Sequence, residues 1–117
     1  MLALAGRWRF VWGTLPNMLL FKRKFLDAIR RGEKTQTIRL WKVRRMRAGQ
    51  RSYIPGVGHI RITAVDPVDI DSLTDRDAKL DGFPNAKALR AELRAIYGEK
   101  LADGHSAYRV KFGVVRG

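Results

Sequence analysis

Three short segments with strand character crowd into residues 34–65 with only loops between them, and this crowding narrows the possible folds more than any other feature. Residues 34–41 are rich in Thr and β-branched side chains, and 52–54 make a short strand between two turns. In 59–65, Ile60, Ile62 and Ala64 alternate with Arg61, Thr63 and Val65, which predicts one buried face. Further strands are expected at 18–21 and, as a clean alternation, at 107–114.

Helical signals flank this cluster. Phe25, Ala28 and Ile29 recur at helical spacing ahead of Gly32. Thr74 and Asp77 read as a capping box for a short helix ending near Gly82. Asn85 caps a longer helix with a stripe of Ala88, Leu89, Leu93, Ile96 and Tyr97, expected to stop at Gly98. A doubly wound parallel sheet alternates strands with helices, so this order excludes it. The expected class is α+β, a small mixed β-barrel of about five to six strands flanked by two to three helices.

The 117 residues suit one domain, taken as 18–117, preceded by a basic and aromatic arm or extension over 1–17. In that arm Trp8, Phe10 and Trp12 alternate with Arg9 and Val11 before a Leu15-Pro16-Asn17 breaker. Cysteine is absent, which removes disulfides, thiol catalysis and thiolate zinc sites. With only His59 and His105 besides, no metal and no cofactor is expected. Arg7 and Arg9 interrupt the N-terminal apolar run, so neither a membrane span nor a secretory signal is expected, and a cytoplasmic location is.

Charge is segregated. The formal net charge is +13, and residues 1–61 hold 15 Lys and Arg against Asp27 and Glu33, a surplus of 13, while the remainder holds nine of each sign. A segregated surplus makes a positive surface that attracts polyanions. Its densest stretch carries Lys42, Arg44, Arg45 and Arg47. With Lys22, Arg39 and Trp41 these are the candidate contacts to nucleic acid or ligand. The expected partners are RNA or a modified nucleoside, not a membrane, with self-association limited to a monomer or weak dimer.

Gly32-Glu33-Lys34-Thr35-Gln36-Thr37-Ile38-Arg39 spans the junction from helix to strand. It resembles the signature of the ASCH family, PUA-like β-barrels associated with RNA, whose pattern is Gly-x-Lys-x-x-Glu-x-Arg. Gly, Lys and Arg are in place, and Thr37 stands at the Glu position. A Phe-x-x-x-Ile helix before the motif, an Arg-x-Gly-Gln-Arg turn after it, Asp-Ser-Leu-Thr at 71–74 and Leu-x-x-Ile-Tyr-Gly at 93–98 extend the resemblance over 18–115. Thr37 is also similar to an ASCH subgroup that deacetylates N4-acetylcytidine with a Lys, Thr and Glu triad. That resemblance implies Lys34 and Thr37, with Asp81 at the position of the Glu and one methylene shorter.

Amide hydrolysis needs a nucleophile, a base and a stabilised oxyanion. Thr37 serves as nucleophile if Lys34 is desolvated and neutral, with Asp81 positioning Lys34 or protonating the leaving nitrogen. Lys34 and Thr37 face opposite sides of a regular strand, so Lys34 is expected on the turn before it, whereas Thr37 and Arg39 share a face. Each residue also has a structural alternative: Thr37 fits the pleat, Lys34 and Arg39 border the barrel mouth, and Asp81 ends a helix. Charge ranks RNA or nucleotide binding first, deacylation second, and a metal-independent ribonuclease using Lys34, Arg39 and Asp81 third.

Overall fold

The structure, a computed structural model, describes residues 18–116; the proposed arm at 1–17 lies outside the described residues. Four strands make one curled antiparallel half-barrel: β1 (Gln36–Trp41), β2 (Arg51–Ile54), β3 (Gly58–Val68) and β4 (Ser106–Val114), ordered β1-β4-β3-β2. Helix α1 (Leu26–Arg30) precedes the sheet, and α2 (Asp75–Leu80) and α3 (Ala86–Ala102) fall between β3 and β4. The α+β expectation of a curled sheet flanked by helices therefore holds, with four strands among the described residues where five to six were expected.

The difference in count comes from the first predicted strand. Of residues 18–21, only Met18 forms a bridge, parallel to Tyr53, with the Leu19 amide donating to the Tyr53 carbonyl at 2.9 Å. The chain then leaves the sheet for a 3₁₀ turn at Arg23–Phe25. A bulge between Ile62 and Ala64 corrects the pattern in β3: the register shift turns Val65 inward, 5% exposed, in place of Ala64. Helix α3 continues through Gly98 to Ala102, because a lone exposed glycine costs only about 1 kcal/mol; the His105 amide closes the helix on the Lys100 carbonyl.

Two apolar cores lie on the two faces of the sheet. Ile54, Ile60, Ile62, Val65, Val110 and Phe112 fill one with Ile29 and Leu19. The other joins Ile38, Leu40 and Ala107 to Leu73, Ala78, Leu89 and Leu93 of the helical layer. Phe25 belongs to the first and Phe83 to the second, and their rings meet at 5.8 Å. The seam between the cores, beside edge strand β1, is where the candidate site sits.

Candidate functional site

Two helix ends deliver the charged groups to this seam. Helix α1 stops in a Schellman motif, with Gly32 N–H on the Ile29 carbonyl and Glu33 N–H on the Ala28 carbonyl, which leaves Lys34 two residues beyond. Helix α2 stops in the same way, with Gly82 N–H on Lys79 and Phe83 N–H on Ala78, which fixes Asp81 as its C-cap. Gly82 has φ +91°, a left-handed conformation that calls for glycine, and its Cα packs against Phe25 and Lys34, where a Cβ would lie 3.4 Å from Phe25 Cδ1 and 3.5 Å from Lys34 Cδ.

Lys34 lies before β1, as its chemistry requires, and is 2% exposed. Its Nζ donates to Asp81 Oδ1 at 2.5 Å and also to the Asp81 carbonyl, so one amine holds both the carboxylate and an orphan carbonyl of α2. Asp81 is 3% exposed, and its Oδ2 is buried without a hydrogen-bond partner among the described residues. The shorter side chain thus still reaches Lys34. Burial drives the Lys34 amine below the usual lysine range and outweighs the attraction of Asp81. Burial likewise drives Asp81 above the usual carboxylate range against the pull of Lys34. Both groups shift toward their neutral forms.

Thr37 is 6% exposed, on β1, and its Oγ1 accepts from Arg39 Nε at 3.1 Å, as two residues on one strand face can. Arg39 also donates to the Leu20 carbonyl at 2.6 Å and lies over the Phe21 ring at 4.8 Å. Lys34, Thr37, Arg39 and Asp81 line one cleft of about 130 Å³, walled by Phe21, Phe25, Phe83 and Tyr97. Lys34 Nζ sits 4.7 Å from the centroid of Phe25. The cleft is therefore a small aromatic-walled pocket with an amine, a carboxyl and a hydroxyl at its base. Among the described residues no group of three or more metal-ligating side chains converges.

The other candidates divide. Lys22 lines the rim of the cleft and lies 3.9 Å from Glu92. Trp41 packs on Tyr108 at 5.5 Å and lines a second trough, with Arg45, along β1. Lys42 pairs with Asp103 at 3.5 Å, and Arg44 lies over Tyr108 at 5.9 Å. Arg47 is exposed and lines neither cavity. The sequence reading missed Phe21 and Phe25 as walls of the cleft, and missed Lys100 and His105, which line the trough.

Solved structures share this architecture. An ASCH domain from Lactobacillus crispatus JV V101 superposes with a TM-score of 0.69 at 15% identity, over 83% of this chain and 77% of that one. The fold is that of an ASCH domain. The hypothetical protein PH0355 gives 0.68 at 13% identity over 84% and 97% of the two chains. A DUF984-family protein from Enterococcus faecalis V583 gives 0.65 at 19% identity over 79% and 67%. No protein-family model and no curated protein matches the sequence. The ASCH-like fold places the cleft at the sheet edge, beneath α3. No helix among the described residues is long and apolar enough to cross a membrane.

Proposed function

We propose that this ASCH-like domain is an amidohydrolase that removes the acyl group from N4-acylated cytosine, working with Lys34, Thr37 and Asp81. The observation that carries it is that these three side chains line one cleft, with Lys34 Nζ and Asp81 Oδ1 2.5 Å apart. Resemblance to the N4-acetylcytidine subgroup supplies the substrate class, and the aromatic walls suit a planar base.

The chemistry follows from the hydrogen bonds. A neutral Lys34 amine has two N–H groups, which go to the carbonyl and Oδ1 of Asp81, and one lone pair left for the Thr37 proton. Arg39 already donates to Thr37 Oγ1, so the hydroxyl is polarised toward alkoxide and its proton is available. Thr37 Oγ attacks the acyl carbon while Lys34 takes the proton. Arg39 faces the oxyanion charge. A protonated Asp81, through Oδ2, donates to the leaving N4 as the C–N bond breaks. Water then attacks the acyl-threonine ester; its proton leaves through the same pair, and the Thr37 oxygen is reprotonated. The sum is amide plus water to amine plus carboxylic acid.

Incubation with N4-acetylcytidine is expected to release cytidine, with the release lost in Thr37→Ala and retained in part by Thr37→Ser. No release by the unmodified protein would overturn the reading. RNA binding by the same cleft without turnover is the second reading, favoured by the basic trough that adjoins it. The ribonuclease reading, which also needs Lys34, Arg39 and Asp81 in one cleft, predicts cleavage of labelled single-stranded RNA in the same assay.

A further inference from the structure

The trough beside the cleft has a composition of its own. Its volume is about 320 Å³, and its lining is Arg39, Leu40, Trp41, Arg45, Tyr97, Lys100 and His105. No carboxylate is among them. Arg39 and Tyr97 line the cleft as well, so the two cavities share a wall.

We propose that this trough is a phosphate subsite, so that the substrate is a phosphorylated nucleoside, with its base in the cleft and its phosphate between Arg45 and Lys100. The inference rests on the nucleoside reading of the cleft and adds what the base is attached to. Four observations support it. Arg45 and Lys100 are exposed and have no carboxylate partner among the described residues, whereas the neighbouring Lys42 is held by Asp103 at 3.5 Å. Lys100 Nζ is placed 5.6 Å over the Tyr97 ring, on the wall shared with the cleft. His105 Nδ1 is buried without a hydrogen-bond partner among the described residues. Arg39 has its Nε and one terminal nitrogen committed, to Thr37 and to the Leu20 carbonyl, and Nη1 has no partner among the described residues.

An anion is the ligand that meets all four. Cations gathered without a counter-ion repel one another, and a phosphate removes that repulsion while accepting several charge-assisted hydrogen bonds. A nucleoside without phosphate leaves the trough unused. The nearby positive surface adds attraction at a distance but no geometry of its own. The phosphate itself has two sources, a free nucleotide or one unit of an RNA strand.

Calorimetric titration of the full chain with cytidine, cytidine 5′-monophosphate and a short cytidylate RNA tests the subsite without requiring turnover. The monophosphate is expected to bind about tenfold or more tightly than cytidine, with the gap narrowing as salt rises. Arg45→Gln and Lys100→Gln are each expected to narrow the gap and together to remove most of it, while Arg94→Gln, the same loss of one positive charge as either single change but at another cavity, leaves it. Equal affinities for cytidine and its monophosphate, or a gap that survives the double variant, would overturn the subsite. RNA binding much tighter than the monophosphate identifies a strand as the source of the phosphate; equal binding identifies a free nucleotide, and both support the subsite. A retained gap with no deacylation overturns the hydrolase reading alone. Deacylation with no gap overturns the subsite alone.

Discussion

Helix α2 carries a carboxylate at each end, one turn apart, and the two behave in opposite ways. At the N-terminal end Asp77 closes the capping box: its Oδ2 accepts from Thr74 N at 3.1 Å, its own amide donates to Thr74 Oγ1 at 3.2 Å, and Arg109 lies 2.9 Å from Oδ1. Burial pushes Asp77 up, but the Thr74 amide and Arg109 outweigh it and hold the carboxyl below the usual range. At the C-terminal end Asp81 is more deeply buried, and burial wins over Lys34. The lesson is that a cation within contact does not decide a carboxyl's charge. What decides it is how many donors replace the water that burial removes. Environments that push like groups apart separate their roles, and here the two carboxyls diverge: the raised one, Asp81, suits the acid of the proposed hydrolase, and the lowered one, Asp77, is held by its cap and Arg109.

The sharpest way to break this contrast is to replace each carboxyl by an amide that cannot ionise. Asp81→Asn is expected to lower deacylation by about 10²–10⁴-fold, the usual contribution of a positioned acid or base. Asp77→Asn is expected to lower the melting temperature and leave kcat near that of the unmodified protein. Equal losses of turnover would show that the two ends do not differ in role.

Next in size is the buried pair. Lys34→Met leaves Asp81 without its buried hydrogen-bond partner and is expected to cost about 3 kcal/mol of unfolding free energy by urea titration, the low end for a broken buried pair because a protonated Asp81 leaves no bare charge behind. Lys34→Met combined with Asp81→Leu is expected to recover much of that stability, since an apolar pair has no desolvation to overcome, yet to remain inactive. Full activity in the double variant would remove the pair from the mechanism.

How much of this was legible beforehand depends on distance along the chain. Thr74 and Asp77 announced the capping box because a cap is a local hydrogen-bond pattern, and Asn85 likewise caps α3 by accepting from Ala88 N at 2.9 Å. Lys34 off the strand and Thr37 facing Arg39 followed from strand alternation, and the structure shows both. The meeting of Lys34 with Asp81 was legible through the family resemblance, not through spacing. Periodicity does not say which helix end faces which strand, so Tyr97, Lys100 and His105 beside Arg39 could not be read, nor could the bulge that turns Val65 inward.

A smaller effect tests the anchoring end. Thr74→Ala is expected to cost about 1 kcal/mol, the typical worth of an N-cap, and Asp77→Ala about 1–2 kcal/mol because the contact to Arg109 goes as well. Because the two residues share the same hydrogen bonds, the double variant should cost less than the sum. Additivity in urea unfolding would show that the capping box does not act as a unit.

The smallest effect separates the two ends by sign. Stability rises with pH where the unfolded chain holds more protons, and falls where the native state does. Asp77, depressed in the native state, gives stability that is complete above the ordinary carboxylate value and is lost as pH falls through its native value. Asp81, raised in the native state, keeps its proton over a window where the unfolded chain has released it, so its contribution declines as pH rises through that window. Measured against the unmodified protein from about pH 3 to about pH 7 at fixed ionic strength, the stability deficit of Asp77→Asn should therefore grow with pH. The relative stability of Asp81→Asn should improve with pH, and Lys34, released from its carboxylate and driven further toward the neutral amine, adds to the same slope. Parallel curves for the two variants would mean that both carboxylates titrate alike, and the assignment of Asp81 as the proton-holding acid would fall with them.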